Sequence, residues 1–216
     1  LGFNNEVMVR RKQKLIEEVK KFQYAKYNLH DIVGESEAVR RCKKMIEHVA
    51  GGVSSVLICG ETGTGKEVLA QAIHNASDRR DKPFIAINCG ALPPSLIESN
   101  LFGYIEGSFT GAKKGGVKGI FEEAKGGTVF LDEISEMEWE LQAKLLRVLQ
   151  EREVVPVGSS KPIAIDVRII ASTNKNLKQL ITAGKFREDL FYRNADAERT
   201  PRGHPVADKI FCQQVQ

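Results

Sequence analysis

The sequence predicts an α/β protein built on a parallel β-sheet with helices on its faces. From residue 53 onwards, short apolar runs alternate with segments of helical periodicity. The apolar runs are nearly continuous, which is typical of strands buried on both faces. The segments between them are long enough for the right-handed crossovers that parallel strands require. The 216 residues suffice for one compact domain with a sizeable core.

The elements are predicted in order along the chain. Residues 6–27 carry a modest apolar stripe among basic residues, so residues 1–28 are predicted to form a linker helix; a dimerising coiled coil would need more heptads. A turn at residues 30–36 leads into a second helix. The strands are VSSVLIC (53–59), PFIAIN (83–88), TVFLD (128–132) and DVRIIAS (166–172), and the helices between them include KEVLAQAIHNAS (66–77) and SEMEWELQAKLLRVLQE (135–151).

Two of these helices allow predictions about individual side chains. The helix after residue 36 is expected to turn Ala38, Met45, Ile46 and Val49 inward. The helix at 135–151 is expected to begin with a capping box formed by Ser135 and Glu138. Its apolar positions predict a buried face made of Met137, Leu141, Leu145, Val148 and Leu149.

The composition excludes several classes of protein. Hydrophobic residues make up 42% and charged residues 28%, and no apolar run reaches membrane-spanning length, so no membrane contact is expected. A net charge of +4 is too small to indicate nucleic-acid binding. The four cysteines form no CxxC pair, which favours reduced thiols in a cytoplasmic protein, with Cys59 and Cys89 in the core. The chain begins at Leu1, so we treat it as a fragment of a longer protein.

A glycine-rich segment lies between the first predicted strand and its helix. It fits the pattern G-x-x-x-x-G-K, in which backbone N–H groups converge on a phosphate and the lysine supplies positive charge. An alternative is a plain strand–helix turn with an incidental lysine. A magnesium-binding Ser or Thr is expected after the lysine, and Glu67 stands there instead. The candidate nucleotide-binding residues are Gly60, Glu61, Thr62, Gly63, Thr64, Gly65, Lys66 and Glu67.

Two carboxylates, Asp132 and Glu133, follow the third strand. Ligands bind beyond the carboxyl ends of the strands in open parallel sheets, so both acids are expected beside the phosphate loop. There Asp132 is suited to hold a hydrated Mg²⁺ ion, and Glu133 to polarise a water for attack on a terminal phosphate. The alternative is two acids that merely favour the N-terminus of the next helix.

Other polar residues are candidates for the same site. Asn88 and Asn174 end the second and fourth strands, although a strand-terminal Asn is also a common turn residue. Arg187 and Arg193 are candidates for stabilising a transferring phosphoryl group in a neighbouring subunit. The alternative for both arginines is a solvated surface position.

The segment EGSFTGAKKGG, residues 106–116, fits neither a strand nor a helix because it contains four glycines. It presents one aromatic residue, Phe109, among small and polar residues. An ordinary flexible surface loop is the alternative to a binding loop.

Together these motifs resemble the central AAA+ ATPase domain of the sigma-54-dependent transcriptional activators, also called bacterial enhancer-binding proteins. The resemblance runs from about His30 to Arg193, and every motif stands in the expected order. GTGKE is characteristic of the family's phosphate loop, which accounts for Glu67. GSFTGA, residues 107–112, resembles the signature loop GAFTGA, with Ser108 in place of Ala. This loop argues against an AAA+ protein of unrelated purpose, such as a helicase loader or a chelatase subunit.

The resemblance implies a three-layer P-loop NTPase fold of the AAA+ class, with ATP and Mg²⁺ as cofactors and a hexamer as the assembly. It implies an ATPase that remodels the closed promoter complex of the sigma-54 RNA polymerase holoenzyme. DNA would be bound only through a C-terminal domain that this chain lacks.

The resemblance also implies roles for individual residues. Lys66 would bind the β and γ phosphates, and Asp132 and Glu133 would be the Walker B pair. Asn88 would be the switch residue that holds Glu133, and Asn174 would be the first sensor. The other implied assignments are the adenine pocket (Ile32, Val33), the trans-acting fingers (Arg187, Arg193) and the sigma-54 contact (Gly107, Ser108, Phe109, Thr110, Gly111, Ala112).

The last 23 residues depart from the family pattern. We divide the chain into the linker (1–28), the ATPase core (29–193) and an atypical tail (194–216) that is not native to the domain. The tail lacks strand alternation and is too short for the family's helical lid, so we expect the lid to be absent or truncated. A fifth strand would also be missing, exposing the first strand at an edge. These expectations predict weakened or no ATP turnover, and the alternative function is a hydrolysis-deficient fragment that binds nucleotide or sigma-54.

Overall fold

A parallel β-sheet with helices on both faces forms the framework of the protein, in a computed structural model that describes residues 24–193 and the backbone of residues 208–211. The helices are α1 (Glu37–Ala50), α2 (Lys66–Asn75), α3 (Pro94–Phe102), α4 (Ile120–Glu123), α5 (Trp139–Glu151), α6 (Leu177–Thr182) and α7 (Glu188–Arg193). The strands are β1 (Val56–Cys59), β2 (Phe84–Asn88), β3 (Gly103–Tyr104), β4 (Val117–Lys118), β5 (Thr128–Asp132), β6 (Glu153–Val154), β7 (Ile163–Ala164), β8 (Arg168–Thr173) and β9 (Asp208–Phe211). Single 3₁₀ turns lie at Leu29–Asp31 and Ile134–Glu136.

The central sheet has the strand order β2-β5-β8-β1-β9, and each neighbouring pair is parallel. This confirms the four predicted strands. The expectation that a fifth strand is missing is wrong, because residues 208–211 pair with β1 in the register Val56↔Asp208 to Cys59↔Phe211. The ladder is made by backbone N–H and C=O groups, so a short strand needs no alternation of side chains.

Alternate residues of each strand pack on opposite faces of the sheet, which gives the predicted three layers. One face packs against α3 to α7, through residues that include Leu57, Ile85, Val129, Leu131 and Ile169. The other face packs against α1 and α2, through Val56, Ile58, Phe84, Phe130 and Ile170. Both faces are therefore apolar, as the nearly continuous apolar runs require.

The first helix buries a different face from the one predicted. Val39, Ile46, Val49 and Ala50 are buried, whereas Ala38 is exposed and Met45 is 38% exposed. Ile46 and Val49 were predicted correctly. Successive helical residues are turned by about 100°, so choosing Ala38 and Met45 instead of their neighbours places the stripe too far round the helix.

The predicted capping box at Ser135 is also wrong. Glu133 adopts a left-handed conformation and a 3₁₀ turn follows at Ile134–Glu136, so α5 begins only at Trp139, with Glu138 as its N-cap. The predicted linker helix lies outside the described residues up to position 23, and residues 24–28 are not helical.

Within the described residues, no helix is both long enough and apolar enough to cross a membrane. In the described part of the structure, Cys89 is a free thiol. Cys89 is buried and Cys59 partly buried, which confirms that both belong to the core.

A buried arginine joins α1 to the sheet. Arg168 at the start of β8 is only 2% exposed. Its guanidinium donates to the carbonyl oxygens of Val49 (2.6 Å), Ala50 (2.8 Å) and Ser54 (3.2 Å). Carbonyl groups at the end of a helix lack intrahelical partners and carry partial negative charge, so a cation is stabilising there.

His74 at the C-terminal end of α2 is buried on the same face of the sheet. Its Nδ1 lies 2.8 Å from Thr128 Oγ1, and its ring lies edge-on to Phe84. Burial lowers the pKa of His74 from 6.5 to about 4, the carbonyls of Arg80 and Lys82 oppose that lowering, and the charges of Arg168 and Arg79 add to it. The folded protein therefore favours a neutral imidazole.

The free energy of unfolding is expected to fall as the pH drops from about 6.5 towards about 4. In this range the unfolded chain binds a proton at His74 that the folded chain does not, so protonation favours unfolding. Urea denaturation at several pH values measures the slope, and His74→Gln should flatten it. His30→Gln, at an exposed site, is the control and should leave the slope unchanged. Equal slopes in wild type and His74→Gln would show that another group is responsible.

Candidate functional site

The phosphate loop connects the end of β1 to the start of α2. Gly65 is the N-cap of α2 and has a φ of 78°, and Gly63 has a φ of 85°. A Cβ atom at either position would meet no atom within 4 Å, so the space above these glycines is open. No side chain caps α2. Its first N–H groups are therefore suited to an anion such as phosphate.

Lys66, the first residue of α2, is buried against this loop. Its Nζ donates to the carbonyl oxygens of Gly60 (3.0 Å) and Glu61 (2.8 Å). The ammonium group thus lies inside the loop, where it complements an anion held by the backbone.

Glu67 connects α2 to the chain segment before α1. Its Oε1 accepts a hydrogen bond from Gln71 Nε2 at 3.0 Å. Gln71 Oε1 accepts in turn from the backbone N–H groups of Lys26 (2.7 Å) and Tyr27 (3.3 Å). In this structure Glu67 therefore stabilises the packing of residues 26–27 on α2.

The acidic pair lies at the carboxyl end of β5. Asp132 accepts hydrogen bonds from Ser172 Oγ and, at 3.3 Å, from Asn88 Nδ2. Asn88 is aligned with Asp132 across the β2–β5 ladder. The resemblance implied that Asn88 holds Glu133; in the structure its amide donates to Asp132 instead, and its Oδ1 accepts from the N–H of Gly90 at 2.7 Å. The strand register places Asn88 next to the first acid, which explains the difference.

Glu133 has a φ of 52°, a conformation that is uncommon for residues other than glycine and that is often found at functional sites. Its N–H donates to Ser172 Oγ at 3.3 Å. A Cβ atom added to Gly90 would lie 3.0 Å from Glu133 Oε2, so this glycine leaves room for the carboxylate. Burial raises the pKa of the neighbouring Cys89 thiol to about 12, and the charges of Asp132 and Glu133 add to the effect.

Asn174 links the end of β8 to the phosphate loop. Its Nδ2 donates to Thr62 Oγ1 at 3.0 Å, and the N–H of Gly60 donates to the carbonyl of Thr173 at 3.1 Å. Ser172, two residues earlier, contacts Asp132. A continuous set of contacts thus connects the phosphate loop, Asn174, Ser172, Asp132 and Asn88 along one edge of the sheet.

The residues at this edge are suited to Mg²⁺ bound together with phosphate. No cluster of three or more His, Cys, Asp or Glu side chains that could enclose a metal occurs among the described residues. Mg²⁺ in nucleotide sites uses one or two carboxylates together with phosphates and water. Asp132, at the same edge of the sheet as the uncapped N-terminus of α2, fits that requirement, and Mg²⁺ there would neutralise charge on the phosphates.

The candidate arginine Arg187 lies apart from this edge, just before α7. Its Nε and Nη2 donate to the two carboxylate oxygens of Asp189, at 3.0 Å and 2.7 Å, and its Cζ lies 5.1 Å from the ring centroid of Trp139. The hydrogen bonds raise the pKa of Arg187 and lower that of Asp189. No described contact joins Arg187 to the phosphate loop. Arg193 ends α7, and its side chain lies outside the described part of the structure.

The two residues predicted for the adenine pocket differ in their exposure to solvent. Ile32 packs against the core beneath α1 and α2, whereas Val33 is 91% exposed.

The predicted binding loop is the connection between β3 and β4, which pair as an antiparallel hairpin. Phe109 is 42% exposed, and its ring lies against that of Tyr104 with centroids 4.9 Å apart. Thr110 is exposed, and the side chain of Ser108 faces Gly158, where an added Cβ would lie 2.7 Å from Ser108 Cβ. The loop therefore presents its aromatic residue partly to solvent.

A second hairpin, β6–β7, supports this loop and was not predicted from the sequence. The N–H of Ile105 donates to the carbonyl of Val157 at 3.1 Å, and the N–H of Val157 donates to the carbonyl of Gly103 at 2.9 Å. Ser172 was also not predicted, although a serine within an apolar strand could have indicated it, and the structure shows it fully buried. Gln142 and Trp139, near Arg187, gave a weaker signal, since a single Gln or Trp in a helix is not unusual.

The fold and the edge site together define a P-loop NTPase. Residues 32–198 match the family described as "Sigma-54 interaction domain", and the chain belongs to this family, the AAA+ domain of sigma-54-dependent transcriptional activators. This confirms the resemblance found in the sequence.

Relatives and solved structures agree with this assignment. The chain is 60% identical over 169 residues to the signal-transduction and transcriptional-control protein of Clostridium beijerinckii, covering 78% of this chain and 27% of that protein. It is 60% identical over 148 residues to the sigma54-dependent transcriptional regulator SfnR of Pseudomonas fluorescens (strain Pf0-1), covering 68% of this chain and 40% of that protein. NtrX from Brucella abortus in complex with ADP matches with a TM-score of 0.73 and 37% identity, covering 84% of this chain and 37% of that one. NtrX has also been crystallised with ATP, and that structure matches with a TM-score of 0.70 and 36% identity, covering 84% of this chain and 36% of that one.

Proposed function

We propose that this chain binds ATP with Mg²⁺, hydrolyses it in a hexameric ring, and uses the energy to remodel the closed promoter complex of sigma-54 RNA polymerase. The observation that carries the proposal is the row of contacts along one edge of the sheet, from the phosphate loop through Asn174 and Ser172 to Asp132. The alternative is a fragment that binds nucleotide or sigma-54 without hydrolysis.

The chemistry assigned to this edge is attack of water on the γ-phosphorus of ATP, giving ADP and inorganic phosphate. Lys66 and the N–H groups at the start of α2 hold the phosphates. Asp132 would hold Mg²⁺, which would neutralise charge on the phosphates, and Glu133 accepts the proton of the attacking water. Asn174 orients the terminal phosphate, and Arg187 or Arg193 acts on the nucleotide of a neighbouring subunit.

The contact with sigma-54 is assigned to the loop between β3 and β4. Phe109 and Thr110 stand at its exposed part, and the relatives named as sigma-54-dependent regulators support this partner. A partly exposed aromatic ring supplies contact area at small entropic cost and is typical of binding hot spots.

Replacing Phe109 with alanine is expected to weaken sigma-54 binding by roughly thirtyfold, a typical hot-spot effect, while leaving ATP hydrolysis measurable. Binding is measured with purified sigma-54 in the presence of a transition-state analogue of ATP, and hydrolysis by phosphate release. The ring is 42% exposed, so folding should change little.

Two further variants complete this experiment. Lys66→Ala should abolish both phosphate release and analogue-dependent sigma-54 binding, whereas Tyr24→Ala, at a 74% exposed ring, should change neither. Nucleotide binding by the wild-type chain without phosphate release would favour the fragment alternative. If Phe109→Ala binds sigma-54 as tightly as the wild type, the assignment of the sigma-54 contact to this loop is wrong.

A further inference from the structure

Trp139 is the only tryptophan in the chain, and 47% of it is exposed. It is the first residue of α5, six positions after Glu133. The guanidinium of Arg187 lies over its ring, with Cζ 5.1 Å from the ring centroid. This distance is within the range of an attractive cation–π contact. The partly exposed ring of Trp139 therefore forms a cation–π contact with Arg187.

The backbone of Arg187 is fixed independently by Gln142, which is fully buried. Gln142 Oε1 accepts from the N–H of Arg187 at 2.8 Å, and its Nε2 donates to the carbonyls of Met137 (2.8 Å) and Lys185 (3.1 Å). Met137 lies between the acidic pair and α5. Gln142 thus connects the turn before Arg187 to the segment that follows the acidic pair.

The two groups that hold the guanidinium differ in chemistry. Asp189 accepts hydrogen bonds from two N–H groups of Arg187, and its negative charge balances that of the guanidinium. The Asp189 side chain is 47% exposed. The Trp139 ring lies beside the guanidinium, with Cζ 5.1 Å from the ring centroid, and it carries no negative charge that would compete with a phosphate. An arginine has five N–H donors. Among the described contacts, three of them remain for another anion.

We propose that Trp139 is a positioning residue for Arg187: its ring supports the guanidinium so that the remaining donors reach the γ-phosphate of ATP bound to a second copy of this chain. The inference rests on the proposed function, in which Arg187 acts across the subunit interface. Arginine has a long side chain with many rotamers, so a ring that limits these rotamers increases the fraction ready for the phosphate. Asp189 alone would hold the side chain while competing with the phosphate for its donors.

Trp139→Leu is expected to lower kcat for ATP hydrolysis by about two- to fivefold, the range for a cation–π contact at an exposed site. KM for ATP should stay unchanged, because the nucleotide is bound by the phosphate loop of the other copy. Trp139→Phe keeps an aromatic face and should restore most of the rate. Glu140→Ala, at the next exposed position of α5, is the matched control and should keep the wild-type rate.

A double-mutant cycle separates positioning from general packing. If the ring acts through Arg187, adding Trp139→Leu to Arg187→Ala should lower kcat no further. An equal loss in both backgrounds, or an unchanged kcat in Trp139→Leu alone, would overturn the proposal.

The emission of the single tryptophan gives a readout that needs no hydrolysis. A non-hydrolysable ATP analogue should change the emission of the assembled wild-type chain but not that of Arg187→Ala. The same change in both proteins, or no change in either, would contradict the proposal. Absence of phosphate release in the wild type would count against the proposed function alone, because the emission measurement would still decide whether Trp139 follows Arg187.

Discussion

Replacing Glu133 with glutamine is expected to lower the rate of ATP hydrolysis by roughly 10²–10⁴-fold, the usual contribution of a positioned general base. Glutamine has nearly the same size and leaves the N–H of residue 133 free to donate to Ser172, so the local backbone should persist. It is not a base at neutral pH, so it cannot accept the proton of the attacking water. Nucleotide binding should remain, because the phosphate loop and Asp132 are unchanged. Phosphate release measures the rate of hydrolysis, and titration with a fluorescently labelled ATP analogue measures nucleotide binding.

The control for this experiment is Glu136→Gln, three residues further along. Glu136 is exposed and forms an ion pair with Lys175, with Nζ and Oε1 2.6 Å apart. An exposed ion pair contributes little, so this variant should keep turnover within about twofold of the wild type. If turnover survives in Glu133→Gln and is lost in Glu136→Gln, then Glu136 and not Glu133 is the general base.

Replacing Arg168 with methionine is expected to lower the free energy of unfolding by about 3 kcal/mol or more. Each buried acceptor left without a partner costs roughly 1–3 kcal/mol, and methionine fills much of the volume without donating a hydrogen bond. The carbonyl of Val49 still accepts from the N–H groups of Gly51 and Gly52 in this variant. The carbonyls of Ala50 and Ser54 lose the guanidinium as their donor, so most of the destabilisation comes from them. Urea denaturation followed by circular dichroism gives the value.

Arg147→Met is the matched control, because Arg147 is exposed on α5. It should change the free energy of unfolding by less than about 0.5 kcal/mol, as is usual for surface substitutions. A similarly small change in Arg168→Met would mean that water or neighbouring groups satisfy the carbonyls when the guanidinium is removed.

The sheet and the phosphate loop could be predicted because their signals are local. A continuous apolar run predicts a strand buried on both faces, and the glycines between β1 and α2 predict a backbone turn around a phosphate. The carboxyl ends of parallel strands meet at one edge, so the position of Asp132 and Asn174 followed from topology alone. The family was identified from the same motifs and GSFTGA.

Other features could not be predicted because they depend on long-range contacts. Nothing local indicates that Arg168 donates to the end of α1, or that Gln142 connects Lys185 to Met137. The start of α5 was misplaced because Ser135 and Glu138 have the spacing of a capping box, whereas the left-handed turn at Glu133 delays the helix. The strand β9 was missed because its pairing with β1 depends on backbone groups, which are the same for every non-proline residue.

The hydrogen bonds between Val157 and the β3 end of the first hairpin have a mechanical consequence. They join the β3–β4 hairpin to the segment between β6 and β7, so we expect the two hairpins to move together. Helix α5 leads into the second hairpin, and its 13 residues span about 20 Å. It starts six residues after Glu133 and ends two residues before β6, so we expect a tilt of α5 at its first turn to shift both hairpins. A cut or a glycine insertion in either hairpin would therefore disturb the other.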